Sequence, residues 1–280
     1  MQEAEKHLAA KSCSQTNPLV SQMLKELDKA VVYNNTNNIT TNQKLWDNYS
    51  REWMNDNHIS DWVLKMASNV GMGNDLSTLG DEWASRQDTL EIVHDFIFPY
   101  VNDSSVVAEI GVGGGRIAKE VINHVAELHC YDVSPEMITR STNVLKPDTS
   151  NNNRKVTFTL LNSDNQSLQC SDNYFDFIYS FDVLPHVDLH VIYSYLKEIK
   201  RTLKLGGKCF ISTSDITSPG GFERFQAQTI STVGGFCWTS QDAVLSLIGQ
   251  VGLNVVKIGQ RRDNNVYLHR DFLVVVEKVS

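Results

Sequence analysis

Glu109, Gly111, Gly113 and Gly115 fall at alternate positions of V-V-A-E-I-G-V-G-G-G-R-I-A, where an apolar run ends, the chain turns and a helical pattern begins. Glycines at such a turn let a ligand approach the backbone and permit positive φ. The helix start beyond them offers free N–H groups to a carboxylate or phosphate. A dinucleotide fingerprint, G-x-G-x-x-G, would place its last glycine at position 116, which is Arg116. The spacing therefore reads G-x-G-x-G with an acid two residues ahead. Asp132 closes the next apolar run, at the distance expected of a carboxylate that receives two ribose hydroxyls of an adenosine-containing ligand. Val133 and Met137 follow it and offer apolar atoms to one face of an adenine. In N-S-D-N-Q-S-L, Asp164 can accept from an adenine amino group while the Asn165 backbone N–H donates to the ring. Ser180 and Phe181, with Asp182, close a further apolar run and would border the reacting group. His186, in D-V-L-P-H-V, is the candidate general base; the competing reading is a histidine hydrogen-bonded beside the glycine loop for structural reasons.

These residues need a scaffold that delivers strand ends to one edge. Strand-like runs at 106–111, 127–133, 156–161, 175–182 and 208–213 alternate with helical runs at 117–124, 135–145 and 189–203, the pattern of a parallel sheet with crossover helices. A helix at 241–251 leads to strands at 254–258 and 272–277, joined by a four- to five-residue turn around Asp263, Asn264 and Asn265 and therefore antiparallel. The expected fold is α/β: a Rossmann-like, doubly wound seven-stranded sheet, mostly parallel with an antiparallel C-terminal hairpin, plus an N-terminal helical extension. Three segments follow: 1–42, a helix around 20–32 and an Asn/Thr-rich stretch read as an irregular linker; 43–85, a helical cap holding Trp46, Tyr49, Trp53, Trp62 and Trp83; and 86–280, the ligand-binding domain, opened by a helix at 89–100.

Composition limits the partners. Of the 280 residues 41% are hydrophobic, enough for one sizeable α/β core. The net charge is −8, with 25 Lys and Arg against 33 Asp and Glu, so there is no basic excess for nucleic acid. Cys13, Cys130, Cys170, Cys209 and Cys237 are scattered without a C-x-x-C pair, which fits neither a metal site nor a disulfide framework. The opening M-Q-E-A-E-K-H-L is too polar for a signal peptide, and no run of about 18 apolar residues would span a membrane. A cytoplasmic protein is expected, with room for a homodimer if the N-terminal extension packs on a second copy.

From about Val106 to Asp215 the chain resembles the class I S-adenosylmethionine-dependent methyltransferases. The motifs E/D-x-G-x-G-x-G, D-x-S-x-x-M, D-A-x-x-L and D-x-x-F-D-x-x-x-S are matched here by E-I-G-V-G-G-G, D-V-S-P-E-M, D-N-Q-S-L and D-N-Y-F-D-F-I-Y-S. Asn165 stands where a small residue is usual. The resemblance implies S-adenosyl-L-methionine as cofactor, with Glu109, Gly111, Gly113, Gly115, Asp132, Val133, Met137, Asp164, Asn165, Ser180 and Phe181 around it. It also implies methyl transfer to a small-molecule acceptor at nitrogen, oxygen or sulfur. L-G-D-E-W, residues 79–83, is similar to a segment that lies over the cofactor pocket in some members. Tyr49, Trp53 and Trp83 from the cap, with Phe222 and Trp238 from the loop after the fifth strand, are the candidate acceptor-binding residues. A nicotinamide-dependent oxidoreductase and a non-catalytic cofactor-binding module are the competing readings; Arg116 and the antiparallel hairpin weigh against the first, and the intact motifs against the second.

Overall fold

The computed structural model describes residues 38–55, 58–72, 76–145, 154–162, 166–228 and 235–280, within one unit that begins at Asn37. The helix expected around 20–32 lies outside the described residues. Helix α1, Asn38–Glu52, starts inside the Asn/Thr-rich stretch read as irregular. Its apolar positions override weak local propensity, with Ile39 buried in the main core and Tyr49 in a smaller cluster beneath the cap. A two-residue ribbon, β1 Met54–Asn55 and β2 His58–Ile59, leads into α2, Asp61–Asn69.

The α/β scaffold begins with α3, Arg86–Phe96, whose N-cap Ser85 accepts from the Asp88 N–H. Then follow β3 Val106–Ile110, α4 Ala118–Val121, β4 Glu127–Asp132, α5 Pro135–Val144, β5 Lys155–Leu160, β6 Phe175–Ser180, α6 Leu189–Thr202, β7 Leu203–Ser214, α7 Pro219–Ala227, α8 Gln241–Val251, β8 Asn254–Ile258, α9 Val266–Arg270 and β9 Asp271–Glu277. The seven-stranded sheet runs β5-β4-β3-β6-β7-β9-β8. Strands β3 to β7 are parallel, and β9 is antiparallel to both its neighbours. Strand order reverses between β3 and β6, so a crevice opens beyond their carboxyl ends.

The connection between the last two strands differs from the expected short turn. It spans 259–270 and contains α9, capped by Asn265, whose side chain accepts from the Tyr267 and Leu268 N–H groups. The antiparallel direction comes instead from β9 inserting between β7 and β8. Two apolar layers flank the sheet. Ile192, Leu196 and Ile199 of α6 with Val244 and Ile248 of α8 cover one face; Ile92 and Phe96 of α3 with Tyr267 and Leu268 of α9 cover the other. None of the described helices is long and apolar enough to cross a membrane.

Candidate functional site

The β3-to-α4 turn is shaped for close approach. Gly111 has φ 80° and donates its N–H to the Tyr131 carbonyl at 2.7 Å. A Cβ there would stand 2.4 Å from a Val183 methyl, so only glycine fits. A Cβ on Gly114 would stand 2.5 Å from the Leu79 carbonyl oxygen, which shows how closely the 79–83 segment lies on the loop. Asp132, at the end of β4, has both oxygens set in place: Oδ2 accepts from the Gly113 N–H at 2.9 Å and Oδ1 from the Ser134 N–H at 2.9 Å. Burial pushes its carboxyl up to about 6, against these donors. Ser134 caps α5 by accepting from the Met137 N–H, with Pro135 in the first turn, and this seats Met137 against the crevice. Glu109 is fully desolvated and accepts from the Tyr179 hydroxyl at 2.9 Å. Burial pushes its carboxyl well above the usual range and so favours the neutral form.

These groups line one side of a cavity of about 450 Å3. Its roof is the cap, with Ile39, Asn42 and Trp46 of α1 and Leu79, Glu82 and Trp83 of the following segment. Beyond the glycine loop it reaches Phe181, Asp182, His186, Arg224, Phe236 and Arg270. Asp182 holds a left-handed backbone, φ 61°, one that Asp tolerates better than most residues. Its N–H donates to the Ser212 hydroxyl at 2.8 Å, and its carboxylate lies 3.6 Å from Arg116 Nη2 and 3.3 Å from Arg270 Nη2. Arg116 also donates to the Gly80 carbonyl and the Tyr267 hydroxyl, both at 2.8 Å, tying the cap segment to α9.

His186 is 8% exposed, with its ring edge-on to Trp46 at 5.1 Å and Phe236 at 5.3 Å. Its Nδ1 lies 2.9 Å from the Gly235 carbonyl, which can only accept, so Nδ1 carries the proton and Nε2 presents a lone pair. Burial pushes its pKa down, so the ring is neutral at physiological pH.

The structure brings together Glu109, Gly111, Gly113, Asp132, Val133, Met137, Phe181, His186 and Trp83 along this cavity. Asp164 and Asn165 lie outside the described residues. Gly115 sits one residue behind the lining, with φ 88°, packed toward Ser141. Ser180 is buried in the sheet, its hydroxyl donating to the Ile110 carbonyl at 3.1 Å. Four of the five candidate acceptor contacts lie off the lining. Tyr49 turns its hydroxyl to Glu82 and packs on Trp62 and Trp83 inside the cap, while Trp53 packs under the Arg140 guanidinium of α5 and holds the cap to that helix. Phe222 is 49% exposed on the outer face of α7, and Trp238 packs on Phe225 and Phe236. Arg224 and Phe236, from the same loop after the fifth strand that was expected to meet the cap rings over the site, do line the cavity, as do Trp46, Arg116 and Arg270, which had not been singled out as site residues. Arg116 was visible as the break in the dinucleotide pattern, whereas nothing local marks Arg270. Among the described residues no group of three or more His, Cys, Asp or Glu is placed to hold a metal.

Comparison with known proteins agrees with this geometry. Residues 108–211 match the family model described as a methyltransferase domain. No curated protein matches the sequence. Among solved structures, the putative methyltransferase from Haloferax volcanii, in complex with the Trm112 methyltransferase activator, is 17% identical with a TM-score of 0.54, covering 71% of this chain and 96% of that one. Magnesium protoporphyrin IX methyltransferase from Synechocystis PCC 6803, with bound S-adenosylmethionine, is 12% identical with a TM-score of 0.55, covering 88% and 100%. The [4+2]-cyclase SpnF is 14% identical with a TM-score of 0.56, covering 78% and 94%. At these identities the neighbours speak for the fold; over residues 108–211 the chain carries a methyltransferase domain, whose glycine loop, aspartate and strand order resemble those of the class I S-adenosylmethionine-dependent methyltransferases.

Proposed function

We propose that the chain transfers a methyl group from S-adenosylmethionine to a small-molecule acceptor held under the cap. The observation that carries this reading is one continuous cavity, of a size typical of small-molecule sites, that joins Gly111, Gly113 and Asp132 to His186, Phe236 and Trp46. The residues present fit the cofactor: Asp132 is preset by two backbone N–H groups, and the space beside Gly113 is open. S-adenosylmethionine supplies a methyl already activated by its sulfonium, open to in-line displacement by an acceptor atom.

The chain's own task is to bind, orient and exclude water. Asp132 accepts from the ribose hydroxyls, Val133 and Met137 offer apolar contact to the adenine, and the N–H groups after Gly113 receive the methionine carboxylate. Phe181 and Asp182 border the methyl end. Trp46, Trp83 and Phe236 close the cavity against water, and His186 Nε2 accepts a proton from a hydroxyl or ammonium acceptor. The recessed site and the net charge of −8 favour a small molecule over a nucleic acid.

The test is calorimetric titration with S-adenosylmethionine and with NADH, on the parent and on Asp132→Ala. Micromolar binding of the former, lost in the variant, followed by transfer of labelled methyl to an acceptor, supports the reading. Binding of NADH alone, or of neither, overturns it.

A further inference from the structure

We propose that the acceptor is a carboxylic acid whose carboxylate seats on Arg224 and Arg270 at the Phe236 end of the cavity; this deepens the methyl-transfer reading and rests on it. Both guanidiniums stack on one ring, with Arg270 Cζ 4.7 Å and Arg224 Cζ 5.6 Å from the Phe236 centroid. Two cations thus pack on one ring of a partly desolvated site, faced by Asp182 and Asp271. After burial, the nearby Arg270 charge is the next cause that holds the Arg224 pKa down. A carboxylate that reaches both guanidiniums gains charge-assisted hydrogen bonds from each.

Arg270 is built as a rigid donor. Its Nε and Nη2 grip Asp271 at 2.8 and 2.7 Å, and Nη2 also faces Asp182 at 3.3 Å. Nη1 takes part in none of these bonds, although the side chain lines the cavity. A planar guanidinium anchored on one edge and open on the other is suited to a carboxylate. Charge is also segregated along the cavity. Asp132 stands in the cofactor half, with the neutral Glu109 behind it, while the far end gathers Arg116, Arg224 and Arg270 against Asp182 and Asp271, before the sulfonium adds its own positive charge. Phe236 and Trp46 supply flat apolar walls, and His186 faces the same space. The carboxylate is therefore an anchor, and another atom of the acid accepts the methyl. Arg224 and Arg270 both lie beyond residue 211, where the family match ends, in the part of the chain free to set specificity.

The experiment is calorimetric titration of benzoate and hexanoate, each beside its primary amide, with and without saturating S-adenosylhomocysteine. At least one acid should bind tenfold or more tightly than its amide. That preference should fall to within about twofold in Arg224→Gln and in Arg270→Gln. Since Arg270→Gln leaves Asp271 buried without its partner and risks misfolding, Arg224→Gln, on a half-buried residue, keeps the test decisive. S-adenosylhomocysteine affinity should be unchanged in Arg224→Gln. Amides binding as well as acids, no binding of either acid, or a preference that survives Arg224→Gln would each overturn the proposal. So would a variant that loses S-adenosylhomocysteine but keeps 5′-methylthioadenosine, because the arginines would then hold the cofactor's own carboxylate. A parent that fails to bind S-adenosylhomocysteine overturns the methyl-transfer reading instead, and the titration without cofactor still reads the anion seat.

Discussion

Acidification should separate cofactor binding from folding at a single residue. Asp132 has its carboxyl pushed from 3.8 up to about 6 by burial, and its charged form is the one suited to receive two ribose hydroxyls. If only the ionised form binds, moving from pH 7.5 to pH 5 lowers the competent fraction from nearly all to about one tenth, so the dissociation constant should rise about tenfold, or ~1.4 kcal/mol. The stability sign is opposite. The folded pKa lies above the unfolded one, so the ionised carboxylate works against folding by up to about 3 kcal/mol above pH 6, and that penalty is relieved as pH falls toward 3.8. Weaker binding at pH 5 is thus not a consequence of this group unfolding the protein. The assay is calorimetric titration of S-adenosylhomocysteine at half-unit steps, with circular dichroism at each pH. Asp132→Asn should bind weakly throughout, with a flat profile. A change below about threefold in the parent would refute the reasoning. A full tenfold fall retained in Asp132→Asn would move the titration elsewhere, with Asp271, also pushed up to about 6 by burial, the first candidate.

Other substitutions probe the remaining parts of the site. Gly111→Ala should cost about 1–2 kcal/mol for its positive φ and a further ~1–3 kcal/mol for overlap with the Val183 methyls; Val183→Ala on top of it should recover only the second part in urea unfolding, and full recovery would show that the backbone is not strained. Tyr179→Phe should lower stability by about 1–3 kcal/mol by leaving buried Glu109 without its donor, read by thermal unfolding; a shift below 1 °C would mean that the pair is unimportant. With an acceptor that must lose a proton, His186→Asn should reduce kcat by about 100- to 10,000-fold and leave S-adenosylhomocysteine affinity within twofold. Because burial holds the His186 pKa below 6.5, parent kcat at saturating cofactor should stay level as pH falls through 6.5, and a loss centred there would contradict a neutral, desolvated ring.

Local patterns read well wherever neighbours in sequence are neighbours in space. The glycine loop, Asp132 and the S-P-E-M helix start each occupy a few consecutive residues, and their backbone hydrogen bonds close within or beside them. Strand and helix alternation was equally legible, since each element writes its own periodicity. The reading of the last connection went astray because α9 is only five residues long, Val266–Arg270, too short to show a helical repeat. Helix α1 began inside an Asn/Thr-rich stretch for a related reason, its stability coming from Ile39, Trp46 and Tyr49 docking on distant segments.

Aromatic residues show the limit most clearly. Tyr49, Trp53, Trp83, Phe222 and Trp238 had the right chemistry for an acceptor pocket, yet of these five Trp83 alone lines the cavity, beside Trp46 and Phe236. Which ring of an aromatic-rich helix turns inward depends on what it meets across the interface, and Trp46 meets His186 from 140 residues further along the chain. The sequence by itself determined the fold class and the cofactor family, because those rest on strand ends, glycine turns and caps that are local. Only the tertiary structure decided what lines the far end of the cavity. Arg224 and Arg270 share one phenylalanine ring and face Asp182 because α7, α9 and the end of β6 converge there, and electrostatic and packing forces act on distance in space rather than distance along the chain.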